Sequence, residues 1–338
     1  MKEVVAVNSR RSFVFSAFTA MVTVLLVGVF GIVETAHAAA PAKVKLRLDW
    51  KAGAQHAAFY LARERGYFAK EGIDLEIISG SGSADSVKTL GTRAVEIALV
   101  DALVLVQARE QQVPAQAVAA YYQRTPISIM SPKAKPIRTA QEMLGKKIGS
   151  KKGSATSQGL TLFLEANGIK PEQIQMVDIG FGVQPLLVGQ VDALMAFTMN
   201  EPIEAETAGM PIHEIMIAEA GVRAYGLTVS ANERFIRERG ELVRGFLRAS
   251  KLAMQDALKD PQSAVAAVAK AVPEINTARE LKVMAKTIPV WNSEDTRVNG
   301  YGWQTEAGWQ QTVDTVTRLK LVEKAPSVKE LFTVNFLK

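Results

Sequence analysis

The chain of 338 residues contains no cysteine. This absence excludes disulfides, thiol catalysis, cysteine-ligated zinc and a lipid-modified cysteine anchor. A chain of this length can bury enough apolar surface to fold without such crosslinks. We therefore expect its stability to depend on the apolar core.

The sequence also lacks the common motifs of enzymes. It has no Gly-x4-Gly-Lys-Ser/Thr phosphate loop and no Gly-x-Ser-x-Gly nucleophile elbow. Gly80-Ser81-Gly82 lacks the third glycine of a dinucleotide fingerprint. His56 and His213, the two histidines after residue 38, are not spaced as a pair of metal ligands. We expect no metal, no cofactor and no covalent chemistry.

The charge pattern argues against a nucleic-acid partner. The net charge is +6, and removal of residues 1–38 would leave 37 basic and 32 acidic residues. The basic residues form no run interleaved with aromatic residues, which a nucleic-acid interface would require. No long apolar stretch follows residue 38, so we expect the mature body to be soluble.

The N-terminal segment has the pattern of an export signal. Basic residues precede an uncharged stretch over 12–33, and Ala36-His37-Ala38 is a small-x-small site typical of cleavage before Ala39. Arg10-Arg11 is typical either of twin-arginine export or of an ordinary basic region. A retained membrane anchor is a third interpretation. The cleavage site favours removal of the signal and a periplasmic protein.

Strand and helix patterns alternate through the rest of the chain. Alternating apolar residues predict strands at Val44–Trp50 and Ile73–Ile77, with a helix at Ala57–Arg65 between them. Repetition of this order as far as Ala117–Tyr122 predicts an α/β fold with a parallel sheet. A second β/α set follows a proline-rich break at Pro126–Pro136, and the chain after residue 230 is mostly helical.

Polar and aromatic residues lie at the predicted strand ends, where ligands bind in parallel α/β sheets. Asp49 and Trp50 end the first strand, and His56 and Tyr60 follow closely. Taken singly, Trp50 fits a core position and His56 a helix start. Together they favour a site for a planar polar heterocycle, whose ring stacks and whose edge forms hydrogen bonds.

Further candidates follow other strands. Asp101 ends the strand over 97–100, and Asn200-Glu201 follows the strand over 193–197, where helix capping is the alternative role. Neighbouring residues of a strand point to opposite faces, so at most one of Tyr121 and Tyr122 faces a ligand. Tyr121 is the candidate.

Two loops rich in serine and glycine could present backbone N–H groups to an anion. The candidates are Ser81 and Ser83 in the first loop and Ser154 in the second, although each loop is equally typical of a plain connection. Lys51 is the one basic residue identified at the strand ends, whereas an arginine fork is the usual partner of an oxyanion. This favours a neutral or cationic ring over a sulfonate or nitrate.

One known family has a similar opening signature. Leu48-Asp49-Trp50, His56, Tyr60, Gly66-Tyr67-Phe68 and Glu71-Gly72-Ile73 resemble the start of thiamine-precursor (pyrimidine) binding proteins. These proteins are related to the nitrate, sulfonate and taurine binding proteins of ABC importers. The resemblance covers about residues 43–338.

The resemblance implies a bilobal type II periplasmic binding protein fold, with two parallel-sheet lobes joined by a two-strand hinge. One lobe would comprise residues 43–126 plus 229–338, and the other residues 127–228. A small-molecule ligand would bind between the lobes and stabilise a closed form, which a membrane permease of an ABC importer would recognise. We expect a monomer.

Gly53 departs from the family pattern, because pyrimidine-binding members usually have an asparagine three residues before the histidine. Riboflavin, other aromatic compounds and small anions therefore stay open as ligands. Eukaryotic relatives synthesise the pyrimidine, consume an active-site histidine and carry a cysteine-rich motif. The absence of cysteine and the export signal argue against such an enzyme, although an exported enzyme and a membrane-anchored sensor are the alternatives from other classes.

Overall fold

The computed structural model describes residue 1 and residues 40–180, 182–318 and 320–337. The predicted export signal, apart from Met1, lies outside the described residues. None of the described helices is long and apolar enough to cross a bilayer. Residues 41–338 form one unit built on two five-stranded sheets.

α-Helices connect most of the successive strands as far as the last strand. The strands are β1 (Ala42–Arg47), β2 (Ile73–Ile78), β3 (Ile97–Asp101), β4 (Ala115–Ala120), β5 (Ile127–Pro132), β6 (Lys147–Ser150), β7 (Gln175–Asp178), β8 (Ala193–Phe197), β9 (Ile212–Met216) and β10 (Leu227–Asn232). The helices are α1 (Ala57–Glu64), α2 (Tyr67–Lys70), α3 (Ser83–Gly91), α4 (Ala102–Glu110), α5 (Ala155–Ala166), α6 (Gln184–Leu187), α7 (Glu201–Thr207), α8 (Glu233–Glu238), α9 (Gly240–Lys259), α10 (Pro261–Ala271), α11 (Thr277–Thr287), α12 (Glu294–Asn299), α13 (Glu306–Arg318) and α14 (Val328–Leu331).

The first lobe is built on the sheet with the strand order β2-β1-β3-β10-β4, and the second lobe on the sheet with the order β7-β6-β8-β5-β9. β3 is buried along its whole length, which is typical of a strand covered by helices on both faces. β1 alternates instead, with Val44 and Leu46 fully buried and Lys43 and Lys45 exposed. The period of two therefore identified β1, but the strand ends at Arg47, and Asp49 and Trp50, predicted to end it, lie in the turn that follows.

Each sheet is mixed, because it contains one strand that runs against its neighbours. β10 is antiparallel to β3 and β4, and β5 is antiparallel to β8 and β9. These two strands are the ones that follow a crossing between the sheets. β10 begins beside Asp101 at the end of β3, and β5 begins beside Phe197 at the end of β8. Both crossings therefore enter at the carboxyl edges of the parallel strands, and these edges face each other across a cleft.

Two strands were missed in the sequence. The proline-rich stretch Pro126–Pro136, predicted as a break, contains β5, whose prolines fall just before and at the end of the strand. Pro at a strand end removes no hydrogen bond from the middle of the ladder. His213, predicted to lie in a surface loop, belongs to the edge strand β9 and is half-buried.

The core of the first lobe lies between its sheet and α1, α9 and α10. Phe246 of α9 is fully buried and stacks on Phe59 and Phe68, with ring centroids 5.8 and 5.1 Å away. Leu252, which the periodicity placed on the same apolar face, is instead exposed. The residue bounds predicted for the lobes, 127–228 against the rest, stay a prediction.

Candidate functional site

The turn after β1 is held against the loop after β2. The backbone N–H groups of Gly80 and Gly82 donate to the carbonyl oxygens of Trp50 and Asp49. A Cβ at Gly80 would collide with the Leu48 carbonyl oxygen, so this close approach requires glycine. The paired loops hold Trp50 at the carboxyl edge of the first sheet.

Asp49 and His56 form a buried pair beneath this turn. The Nε2 atom of His56 lies 3.0 Å from Oδ1 of Asp49, and His56 is fully buried. Neither side chain lines the cavities of the cleft. The pair supports the turn from beneath, and its contact with a ligand stays a prediction.

Trp50 is half-buried and lines two adjoining cavities between the lobes. The larger has a volume of about 320 Å³ and the smaller about 30 Å³, and both are also lined by Gly182 and Glu201 of the second lobe. Asn200 lines the larger cavity and Ser154 the smaller. The structure therefore brings together four of the predicted site residues, from both lobes.

The second lobe provides polar groups at the start of α7. Asn200 occupies the position before the helix, but its side chain makes no capping hydrogen bond. Oε2 of Glu201 accepts a hydrogen bond from the Phe197 backbone N–H at 2.9 Å. Burial raises the pKa of Glu201 to about 7, so this carboxyl group titrates near neutral pH. Ser154 caps α5 and donates to the Lys151 carbonyl oxygen at 2.6 Å.

Helix α11 contributes a charged pair that the sequence did not reveal. Arg279 and Glu280 form an ion pair and both line the larger cavity. Glu280 is 2% exposed, and its other oxygen accepts a hydrogen bond from the Ala54 backbone N–H. Lys151, directly after β6, lines the smaller cavity. The prediction that Lys51 is the one basic residue at the strand ends is therefore wrong.

The space beside Gly53 is occupied by other polar groups. A Cβ at Gly53 would lie 2.5 Å from Oε1 of Gln55 and 3.1 Å from Oε2 of Glu280. Gln55 and Glu280 thus bring oxygen atoms to the position where the resemblance described above implies an asparagine. Oε1 of Gln55 is buried without a hydrogen-bond partner among the described residues.

The candidates around α3 and β3 have structural contacts. Oγ of Ser83 accepts a hydrogen bond from the Asp101 backbone N–H at 3.0 Å, and Asp101 caps α4 by accepting from the Leu103 N–H at 3.0 Å. Asp101 is fully buried, which raises its pKa to about 7. Ser81 is exposed. None of these three side chains lines the cleft cavities.

The tyrosine candidates belong to the core of the first lobe. Tyr60 is buried under the guanidinium group of Arg63, which lies 5.4 Å from its ring centroid. Tyr121 lies behind the turn and donates a hydrogen bond to the Gln55 carbonyl oxygen at 2.9 Å. Tyr121 therefore supports the cleft from below, and contact with a ligand stays a prediction for every candidate residue.

No cluster of three or more His, Cys, Asp or Glu side chains among the described residues can hold a metal ion.

Comparison with known proteins identifies the family. The family model described as NMT1/THI5 like matches residues 53–264. The chain belongs to the NMT1/THI5-like family. The riboflavin-binding protein RibY of Chloroflexus aurantiacus is 26% identical over 304 residues, covering 87% of this chain and 86% of that protein. The formylaminopyrimidine-binding protein of Halalkalibacterium halodurans is 24% identical over 295 residues, covering 86% and 89%.

The family includes proteins named as enzymes. The 4-amino-5-hydroxymethyl-2-methylpyrimidine phosphate synthase of Legionella pneumophila is 22% identical over 302 residues, covering 87% of this family member and 92% of the synthase. Among solved structures, the alkanesulfonate-binding protein SsuA of Xanthomonas axonopodis superposes with a TM-score of 0.68 at 16% identity, covering 87% and 99%. The predicted resemblance and the bilobal periplasmic binding protein fold are thus confirmed.

Proposed function

We propose that the protein is the periplasmic solute-binding subunit of an ABC importer. It captures a planar, pyrimidine-like heterocycle of the thiamine-precursor type between its two lobes. The observation that carries this proposal is the position of Trp50, whose indole lines both cleft cavities together with Glu201 of the opposite lobe. The relatives named as formylaminopyrimidine-binding and riboflavin-binding proteins support a heterocyclic ligand.

The cleft has the components that a small heterocycle needs. Trp50 offers an apolar face for stacking, and Asn200 and Glu201 offer donors and acceptors to the ring edge. The larger cavity, about 320 Å³, is near the lower end of the roughly 300–1,000 Å³ of small-molecule sites. This volume suits a single substituted ring better than a large ligand.

The charge of the larger cavity favours a neutral or cationic ligand. Glu201, Glu204 and Glu280 line it, against the cations of Lys51 and Arg279. With Glu201 ionised, the carboxylates exceed the cations by one. A ring carrying amino groups would donate hydrogen bonds to such a site, whereas an anion would be repelled.

Closure between the lobes would retain the ligand. Lys286 of α11 forms an ion pair with Glu214 of β9 at 3.0 Å, and Nε2 of Gln158 donates to Oε1 of Gln107 at 2.7 Å. Each contact joins the two lobes. Rotation at the two crossings would open the cleft, and a membrane permease would recognise the closed form.

Binding without chemistry is favoured over synthesis, although the family contains both kinds of protein. The resemblance implies that relatives making the pyrimidine consume an active-site histidine. Here His56 is fully buried, contacts Asp49 and lines neither cleft cavity. The chain also has no cysteine.

A small anion is the second candidate. Arg279 and Lys151 both line the cleft cavities, so cations are present in both of them. An alkanesulfonate or nitrate bound to these groups would lose affinity as salt is added and would not need an aromatic face.

Titration calorimetry on the chain beginning at Ala39 tests the proposal. The panel is 4-amino-5-hydroxymethyl-2-methylpyrimidine, its formylamino analogue, riboflavin, taurine and nitrate. We expect a pyrimidine to bind and to be recovered unchanged by mass spectrometry. Exclusive binding of taurine or nitrate would replace the proposal with the anion candidate, and conversion of the pyrimidine would identify an enzyme.

A further inference from the structure

A separate cavity lies inside the first lobe. It has a volume of about 270 Å³ and lies between α9, the sheet and the C-terminal residues. It shares no lining residue with the two cavities of the cleft. Its walls are formed mainly by apolar side chains, including Phe59, Val229, Leu247, Met254, Phe336 and Leu337.

Two cations of α9 line this apolar cavity, and their environments differ. Arg248 is paired with Glu71 through two hydrogen bonds, of 2.6 and 3.0 Å. Lys251, one turn further along the helix, makes no ion pair with a carboxylate among the described residues. Its charge is therefore available to a ligand in the cavity.

Gly300 fixes the position of the Lys251 amine. A Cβ at Gly300 would lie 2.5 Å from Nζ and 2.8 Å from Cε of Lys251, so the side chain rests directly on this glycine. Gly300 has φ +93°, a conformation that other residues rarely adopt. Lys251 is half-buried in this position, which weakens the screening of its charge by solvent.

We propose that this cavity binds an aliphatic carboxylate of medium chain length. The hydrocarbon chain lies against the apolar walls, and the carboxylate accepts a hydrogen bond from the Lys251 ammonium group. The cavity combines an apolar interior with one cation that has no carboxylate partner among the described residues. A neutral hydrocarbon would leave this cation without a partner, and a small inorganic anion would leave the apolar walls without contacts. An aliphatic carboxylate satisfies both.

The test is calorimetry of the chain beginning at Ala39 with hexanoate, octanoate and 1-octanol. We expect octanoate to bind about 16-fold more tightly than hexanoate, which is about fourfold for each added methylene. Lys251→Met should weaken octanoate at least tenfold and leave 1-octanol unchanged. Lys259→Met, an exposed lysine on the same helix, is the matched control and should bind like the wild type.

Trp50→Ala separates this site from the cleft. Because Trp50 does not line the cavity, its loss should not change octanoate binding, whatever the cleft binds. The proposal is overturned if octanoate does not bind, if Lys251→Met binds it as the wild type does, or if Trp50→Ala abolishes the binding. A failure of the cleft proposal would change none of these results.

Discussion

Substitution of Trp50 by alanine is the most direct test of the cleft. The indole is half-buried and lines both cavities between the lobes. Trp50 is not among the residues of the apolar core cluster of the first lobe, which includes the stacked pair Phe59 and Phe246. The variant should therefore stay folded and lose one face of the binding site.

The expected loss follows from the energy of stacking. Removal of an aromatic residue that stacks on a nucleic-acid base costs about 1–3 kcal/mol per base. We expect a similar loss for a pyrimidine on Trp50, which corresponds to an increase of about 5- to 150-fold in Kd. Asp49→Ala should weaken binding by about 1–3 kcal/mol as well, because its carboxylate holds His56 beneath the turn.

The assay is calorimetric titration with the ligand found in the panel, on variants whose thermal unfolding is first checked. Trp303→Ala is the matched control, because Trp303 is also a half-buried tryptophan but lies outside the cleft cavities. Equal affinity of the wild type and the Trp50 variant would refute the stacking argument. A similar loss in the Trp303 variant would show that the effect is not local to the cleft.

Three further predictions concern ionisation and packing. Burial raises the pKa of Glu201 to about 7, so affinity for a ring that donates hydrogen bonds should rise between pH 6 and pH 8, and Glu201→Gln should flatten the profile. An anionic ligand would show the opposite slope in the wild type. Burial also raises the pKa of Asp101 to about 7 in the folded state, above its ordinary value of 3.8, so the free energy of unfolding should fall as pH rises from about 4 to 8. In Asp101→Asn, chemical denaturation should show that the free energy of unfolding falls less with pH than in the wild type, by up to about 4 kcal/mol. A pH dependence equal to that of the wild type would contradict this. Phe246→Ala should cost about 3–5 kcal/mol, since the ring is fully buried between two others, whereas Leu252→Ala on the exposed face of the same helix should cost less than about 0.5 kcal/mol. Equal losses in urea denaturation would argue against this packing.

Local sequence patterns predicted most of the strands and helices of the fold. The strand Ala193–Phe197 has the bounds that its apolar residues predicted. β5 was missed because Pro126 and Pro132 flank it, and proline at a strand end leaves the ladder intact. β5 and β10 run antiparallel to their neighbours, and each follows a crossing of the chain from the other sheet. No local sequence pattern indicates such a crossing.

The residues that line the cleft were predicted only where they follow strands. Trp50 and Glu201 were found because the carboxyl ends of parallel strands converge. Arg279 and Glu280 lie on a helix more than 200 residues after Trp50, and their charges look like those of any solvated helix face. Asp101 is the last residue of a strand, but it caps α4 and does not line the cleft cavities.

The placement of β10 has a consequence for the order in which the protein folds. β10 lies between β3 and β4, so β4 has no neighbour in its sheet until residues 227–232 have been made. The other sheet is assembled from the continuous stretch 127–216 and needs nothing from later in the chain. During synthesis the sheet of the second lobe can form first, while the sheet of the first lobe waits for β10 to join β3 to β4.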